Sequence, residues 1–281
     1  VFVSTAEGVC DFISAMDTGR VQEWNTWYHL LNCGFPVKVS GETDFPCMSS
    51  RRVGQGRVYV QLGPDTKLDF DKWCGGLASG KSYVSDGYEH ALDFAIEGVR
   101  PGDEALRIEK PGKLDVHAKV AFASEMPLSV AQGTKVPAGG KRFVGDTVEL
   151  HAERNGEWVQ REPQLVELIV NGNVAMTWNV PADGKIHDLQ TQITVERSAW
   201  VALRHFPQFH TNAVEVLVDS QPIRASSRSA RWCLESIDQL WRNRRELIAI
   251  QERADAEKAF ERARIEFRRR WEAAMKDEPS E

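Results

Sequence analysis

"VCDFISAMDTGRVQEWNTWYHLLNCGFPVKVSG", residues 9–41, decides how this chain folds. Its first part, around "GVCDFISAMD", is short, apolar and β-rich, and it stops at the polar turn group Asp17-Thr18-Gly19. "RVQEWNTWYHLLNCG" then spaces Val21, Trp24, Tyr28 and Leu31 by three or four residues, which predicts one apolar helical stripe with Gly34 as its C-cap. "FPVKVSG" reads as a second short strand. Strand, helix and strand joined by short connections make a βαβ unit, so the two strands are expected to lie parallel with a right-handed crossover. Ligands of parallel sheets gather at the carboxyl ends of the strands. Asp17 and Asp44 both stand at such ends.

Downstream, "VGQGRVYVQL" resumes a strand after a Gly-rich turn, and "DFDKWCGGLASGKSYVSDG" reads as a short helix, a Gly stop and another strand. From about Ala91 the pattern changes to "LDFAIEGVRPGD", "KLDVHAKVAFA", "LSVAQGTKV", "DTVELHAE", "QLVELIVNGNVAMTWNV", "DLQTQITVE", "SAWVALRHF" and "AVEVLVDSQPI", separated by Pro-Gly, Asn-Gly and Asp-Gly turns. Strands at this spacing predict an antiparallel β-sandwich forming a domain of its own. Between Trp232 and Met275 there is neither Gly nor Pro. Leu234, Ile237 and Trp241, then Phe260, Ala263, Phe267, Trp271 and Ala274, fall at helical spacing there, giving a long helix or a helical pair whose seam also offers a surface for self-association. The expected fold is therefore multidomain α/β plus β, with a parallel α/β part over residues 1–90, a β-sandwich over 91–226 and a helical tail over 227–281.

The 281 residues carry 35 Lys and Arg against 41 Asp and Glu, a formal charge of −6, which argues against nucleic acid as a partner. The basic run near Arg268 is interleaved with acidic residues and reads as a solvated helix face. No run of eighteen apolar residues exists, so no membrane-spanning helix is expected. The opening "VFVSTAEGVCDFISAMD" reads like a strand already inside a fold, and from it we expect an upstream portion, with any targeting segment in it. Cys10, Cys33, Cys47, Cys74 and Cys233 are odd in number and widely spaced, which predicts neither a disulfide framework nor a structural zinc site.

Carboxylates and imidazoles at the mouths of parallel strands are the donors that hydrolytic metal centres use, because hard divalent ions take oxygen and neutral nitrogen on rigid elements. Asp17 and Asp44 are the candidates, with His29 or Glu42 beside them; the competing reading of an Asp after a Gly is a turn former. Asp86 in "SDGYEHA" is a lesser candidate. His205 and His210 in "LRHFPQFHTN" invite a ligand role, but a turn held by backbone hydrogen bonds is favoured for His210. No Gly-x-Ser-x-Gly elbow is present, which argues against a serine hydrolase. Trp24, Trp27, Trp200 and Trp241 read as core rather than as carbohydrate platforms.

The ordered series "WYHLLNCGFPVKVSGETDFPC", "RVGQGRVYV", "GLASGKSYVSDG", "IVNGNVAMTWNV" and "SAWVALRHFPQFHTNAVEV" resembles the C-terminal half of PHP-superfamily metallohydrolases, in their bacterial carbaryl-hydrolase-like (CehA/McbA) branch. The likeness spans roughly Val1 to Arg224. It implies the closing part of a PHP-type (β/α) barrel followed by its accessory sandwich. By the same resemblance, a divalent metal (zinc, manganese or iron) activates water against an ester, amide or phosphoester of a small-molecule substrate, and Asp44 is a late ligand. Pro46 or Cys47 stands where the family usually has histidine; Pro46 cannot ligate, whereas Cys47 could and would favour a softer ion such as zinc. No His-x-His exists in the chain, so the early ligands that the family uses are expected upstream, and the chain is expected to be a fragment with an incomplete metal site, hydrolytically inactive without that ligand-bearing half. The resemblance slightly favours an extracytoplasmic location. A second expectation, from a different class, is a non-catalytic module whose sandwich binds a glycan or a protein partner on an α/β support.

Overall fold

The computed structural model describes residues 1–16, 20–42, 56–63, 67–127 and 158–277. A short helix α1 (Phe2–Ala6) opens the chain, followed by β1 (Phe12–Ser14), α2 (Arg20–Asn32) and β2 (Lys38–Ser40). Residues 2–6 were expected in a strand; they are helical because Phe2 seats edge-on against Trp232 and Phe267 of the C-terminal helices, and that packing overrides a weak local preference. The βαβ unit forms as the spacing implies, with Phe12, Ile13 and Ser14 of β1 parallel to Lys38, Val39 and Ser40 of β2.

The apolar stripe of α2 is wider than its periodicity suggests. Trp24, Trp27, Leu30 and Leu31 are buried, while Val21 is exposed. The helix is wedged between a sheet and the C-terminal helices, so it buries two sides. Its tryptophans also tie it to the strands, Trp24 Nε1 donating to Ala15 O at 3.2 Å and Trp27 Nε1 to Val37 O at 2.7 Å.

Then come β3 (Arg57–Val60), α3 (Phe70–Ser79) and β4 (Ser82–Ser85). Helix α3 begins where the Asp69 carboxylate accepts from Lys72 N at 2.8 Å and ends at Gly80, whose φ of 85° is the left-handed cap expected from the sequence. The remaining strands are β5 (Glu89–Ile96), β6 (Leu106–Ile108), β7 (Gly112–Phe122), β8 (Glu125–Pro127), β9 (Trp158–Gln160), β10 (Gln164–Val170), β11 (Asn173–Val180), β12 (Ile186–Val195), β13 (Ala199–His205), β14 (Phe209–Thr211) and β15 (Val214–Val218). The expected strands "LSVAQGTKV" and "DTVELHAE" both fall wholly outside the described residues. The tail is a helical pair, α4 (Ser227–Arg244) and α5 (Arg253–Asp277), linked by a single 3-10 turn at Arg245–Leu247.

Two sheets face each other across one core. The smaller has the order β12-β7-β5 and is antiparallel, and its β7 alternates Leu114, Val116, Ala118, Val120 and Phe122 inward with exposed or partly exposed partners. The larger runs β11-β10-β13-β14-β4-β3, with β15 on β13 and β6 parallel to β15. Strand β13 is buried on both faces: Val201 and Leu203 face the sandwich core, while Trp200 and Ala202 join a second core with α2, β1, β2, α4 and α5. Sheet, sheet and helices are thus three layers.

This layering bears on the expected segments. Strands β3 and β4 of residues 1–90 belong to the same sheet as β10, β13 and β14, and the division at residue 90 falls inside β5. The buried residues of the core between the two sheets all fall within 91–226, from Ala91 to Val218, whereas residues 1–90 and the helices share the second core, on the outer face of the larger sheet, with Ile169, Trp200 and Ala202. The described residues include a parallel strand pair and no closed barrel. Of the apolar seam of α5, Ala263, Phe267 and Ala274 are buried, and Phe260 and Trp271 are partly buried. No helix among the described residues is long and apolar enough to cross a membrane.

Candidate functional site

Both strands of the βαβ unit end on one rim. Ala15 N donates to Ser40 O at 2.9 Å just past β1, and Met16 is fully buried there. A Cβ added to Gly41 would lie 2.4 Å from Arg57 O, and one added to Gly56 would lie 2.4 Å from Glu42 O and 2.7 Å from Met16 Cβ. Only glycine lets these backbones meet, so the carboxyl ends of β1 and β2 close against the start of β3. The turn between β4 and β5 completes the rim, because a Cβ on Gly87, at φ 96°, would sit 2.2 Å from an Arg57 guanidinium nitrogen. Asn212 pins β2 to β4, accepting from Val39 N at 2.8 Å and donating to Ser82 O at 3.1 Å.

Asp17, Asp44 and Cys47, the candidate metal ligands, and Pro46 lie outside the described residues. In the sequence Asp17 follows β1 by three residues and Asp44 follows β2 by four. Glu42 is partly exposed at the rim itself. His29 is not part of it: its ring stacks on Trp232 at 4.1 Å and its Nδ1 lies 3.0 Å from Ser229 Oγ, which turns it toward α4. No three His, Cys, Asp or Glu side chains converge as a metal group among the described residues.

Behind the rim is a buried cluster that the sequence signals only through "SDGYE". Asp86 and Glu89 are 1% and 0% exposed. Asp86 accepts from Tyr88 N at 3.1 Å, and its own N–H donates to Gln208 O at 3.1 Å. Arg161 forms an ion pair with Glu89 and donates to Tyr88 O at 3.3 Å and to Gln164 Oε1 at 3.0 Å. Burial, and then the neighbouring Asp86 charge, hold the Glu89 carboxyl well above the usual carboxylate range. Glu89 is therefore held toward its protonated form, with the Arg161 guanidinium against it. So enclosed, Asp86 anchors the turn. Nearby, His205 hydrogen-bonds Leu165 O through Nδ1 at 2.9 Å, and burial lowers its pKa.

His210 is deeper still. Its Nδ1–H donates to Thr211 O at 2.6 Å, so its Nε2 accepts from Tyr28 O–H at 2.6 Å, and Arg204 donates to that phenol oxygen at 3.0 Å. Burial pulls His210 down to about 3 and pushes Tyr28 up to about 12. This chain of bonds joins α2 to β13 and β14. It corrects the expected turn role for His210, which sits in a strand and is bonded to a side chain 182 residues away.

A cleft of about 260 Å³ opens between β3, β4 and β5. Tyr59 and Tyr83 stack along it with centroids 5.0 Å apart and planes 8° apart, and Tyr83 O–H bonds His90 Nδ1 at 2.8 Å. Its rim cations already have partners, Arg100 donating to Asp93 at 2.8 and 3.2 Å and Lys81 lying 3.3 Å from Asp103. The cleft is therefore aromatic and close to neutral.

Compared with known proteins, the chain matches no family model, and searches of curated proteins and of solved structures gave no significant match.

Proposed function

We propose that the chain serves a metal-dependent hydrolase, with Asp44 as a ligand and Asp17 and Cys47 as further donors at the rim where β1 and β2 end. The observation that carries this reading is the in-register parallel pair with its close-packed carboxyl ends, because two acidic residues follow those two neighbouring strands in the sequence. Two carboxylates and a thiolate are donor types that a divalent ion accepts. A catalytic site takes about three protein ligands, and the described residues add no converging group, so the reading needs donors beyond them. A divalent ion (zinc, manganese or iron), when bound, supplies Lewis-acid activation of water against an ester, amide or phosphoester. The described residues act as support: Gly41, Gly56 and Met16 hold the strand ends together, and Arg57 with the Asp86–Gly87 turn fixes the facing edge. A PHP-type barrel, of which these would be closing strands, belongs to the same proposal. Titration with zinc and manganese tests it. In a protein that also carries the remaining donors, D44A is expected to weaken binding at least about tenfold, as loss of a ligand should; equal binding with and without Asp44 there would remove the reading.

The cleft favours a second reading, a binding module for a neutral glycan or a protein partner, since a tyrosine stack beside paired charges suits an uncharged ring. Chelation separates the two, for a binding module keeps its ligand when metal is removed.

A further inference from the structure

We propose that Cys33 and Cys233 form an intrachain disulfide that joins the crossover helix α2 to the C-terminal helical pair. The two residues are 200 apart in sequence, and the fold brings them together in one apolar core, 3% and 0% exposed. Cys33 is the first residue past α2. Cys233 lies on α4 one turn beyond Ser229, so the two share a helix face. That face is turned to the last turn of α2, because Ser229 Oγ accepts from Asn32 Nδ2 at 3.1 Å and lies 3.0 Å from His29 Nδ1. Both thiols are free and buried, and Cys33 is the neighbour that acts on the Cys233 thiol. On the backbone, Ala225 N donates to Asn32 O at 2.9 Å and Arg270 bonds Cys33 O, so both helices of the pair hold this corner.

The reaction is thiol–disulfide exchange with a low-molecular-weight disulfide such as oxidised glutathione. One protein thiolate attacks a glutathione sulfur, forming a mixed disulfide and expelling one glutathione thiolate. The second protein thiolate then attacks the protein sulfur of that bond and expels the other. Two protein thiols are oxidised, one glutathione disulfide is reduced to two thiols, and the two protons end on those thiols. Exchange requires thiolate and access. Burial pushes the Cys233 thiol up, so the bond forms as the helical pair docks in folding and exchanges slowly afterwards. The proposal is independent of any hydrolytic activity.

The test refolds the full chain from urea in oxidised and reduced glutathione buffers, alkylates the denatured protein and counts blocked thiols by intact mass. Reduced protein has five thiols from the sequence, and oxidised protein is expected to retain three, with Cys33 and Cys233 peptides linked in a non-reducing digest. Closing so long a loop is expected to raise the melting temperature by about 5 °C or more. C233S and C33A are expected to abolish both effects and C74S neither. Five free thiols after oxidation, a bond through Cys10, Cys47 or Cys74, or equal melting of oxidised and reduced wild type would each overturn the proposal.

Discussion

Glu89→Gln tests where the charge sits in the buried cluster. Glu89 is fully enclosed, beside Asp86 and Arg161, and its folded pKa is raised above its unfolded value near 4.5. Above pH 4.5 the unfolded chain releases this proton while the folded chain keeps it. The folded state then binds more protons, so stability falls as pH rises, by up to about 1.4 kcal/mol per pH unit for one group, until the raised folded pKa is reached. Glutamine has no proton to lose and keeps a similar shape. The stability of E89Q relative to wild type is therefore expected to rise with pH above about 4.5, by up to about 1.4 kcal/mol per unit, until the raised folded pKa is reached. Urea unfolding followed by tryptophan fluorescence reads this, since Trp24, Trp27 and Trp200 are buried. Parallel pH profiles for the two proteins would refute the reasoning and show that Glu89 is ionised in the fold, paired with Arg161.

Gly41→Ala places a methyl group 2.4 Å from Arg57 O and is expected to cost about 2 kcal/mol or more, whereas Gly75→Ala in α3 meets nothing within 4 Å and is expected to be neutral or stabilising by up to about 1 kcal/mol; paired melts check both. Asn32→Ala strips the acceptor from Trp200 Nε1, now bonded at 2.7 Å, and an unpaired buried indole N–H is expected to cost about 1–3 kcal/mol in urea unfolding. His210, with a folded pKa of about 3 against 6.5 unfolded, is expected to remain neutral with its proton on Nδ1 from pH 5 to 8 by nitrogen NMR. Because the unfolded chain takes up that proton first, wild-type stability is expected to fall as pH drops below 6.5 toward 3.

The local signals in the sequence translate directly. Periodicity and the short connections of residues 9–41 specify a parallel βαβ unit, Asp69 and Gly80 bracket α3, and the Gly-free run from Trp232 to Met275 becomes paired helices. In each case the information lies within a few turns of backbone, where capping and side-chain spacing act. The positions of Asp17 and Asp44 after strand ends are likewise a property of the sequence. What the sequence could not reveal is which distant residues meet. Val201 and Leu203 read as ordinary alternation, yet only a sheet covered on both faces makes Trp200 and Ala202 equally buried. Arg161 reaches Glu89 across 72 residues and Tyr28 reaches His210 across 182, because β14 lies between β13 and β4 and α2 packs on the outer face. Cys33 and Cys233, 200 residues apart, share one core for the same reason. Periodicity states which side of an element is apolar, but the order of strands in a sheet and the layer that covers it are settled by burial summed over the whole chain.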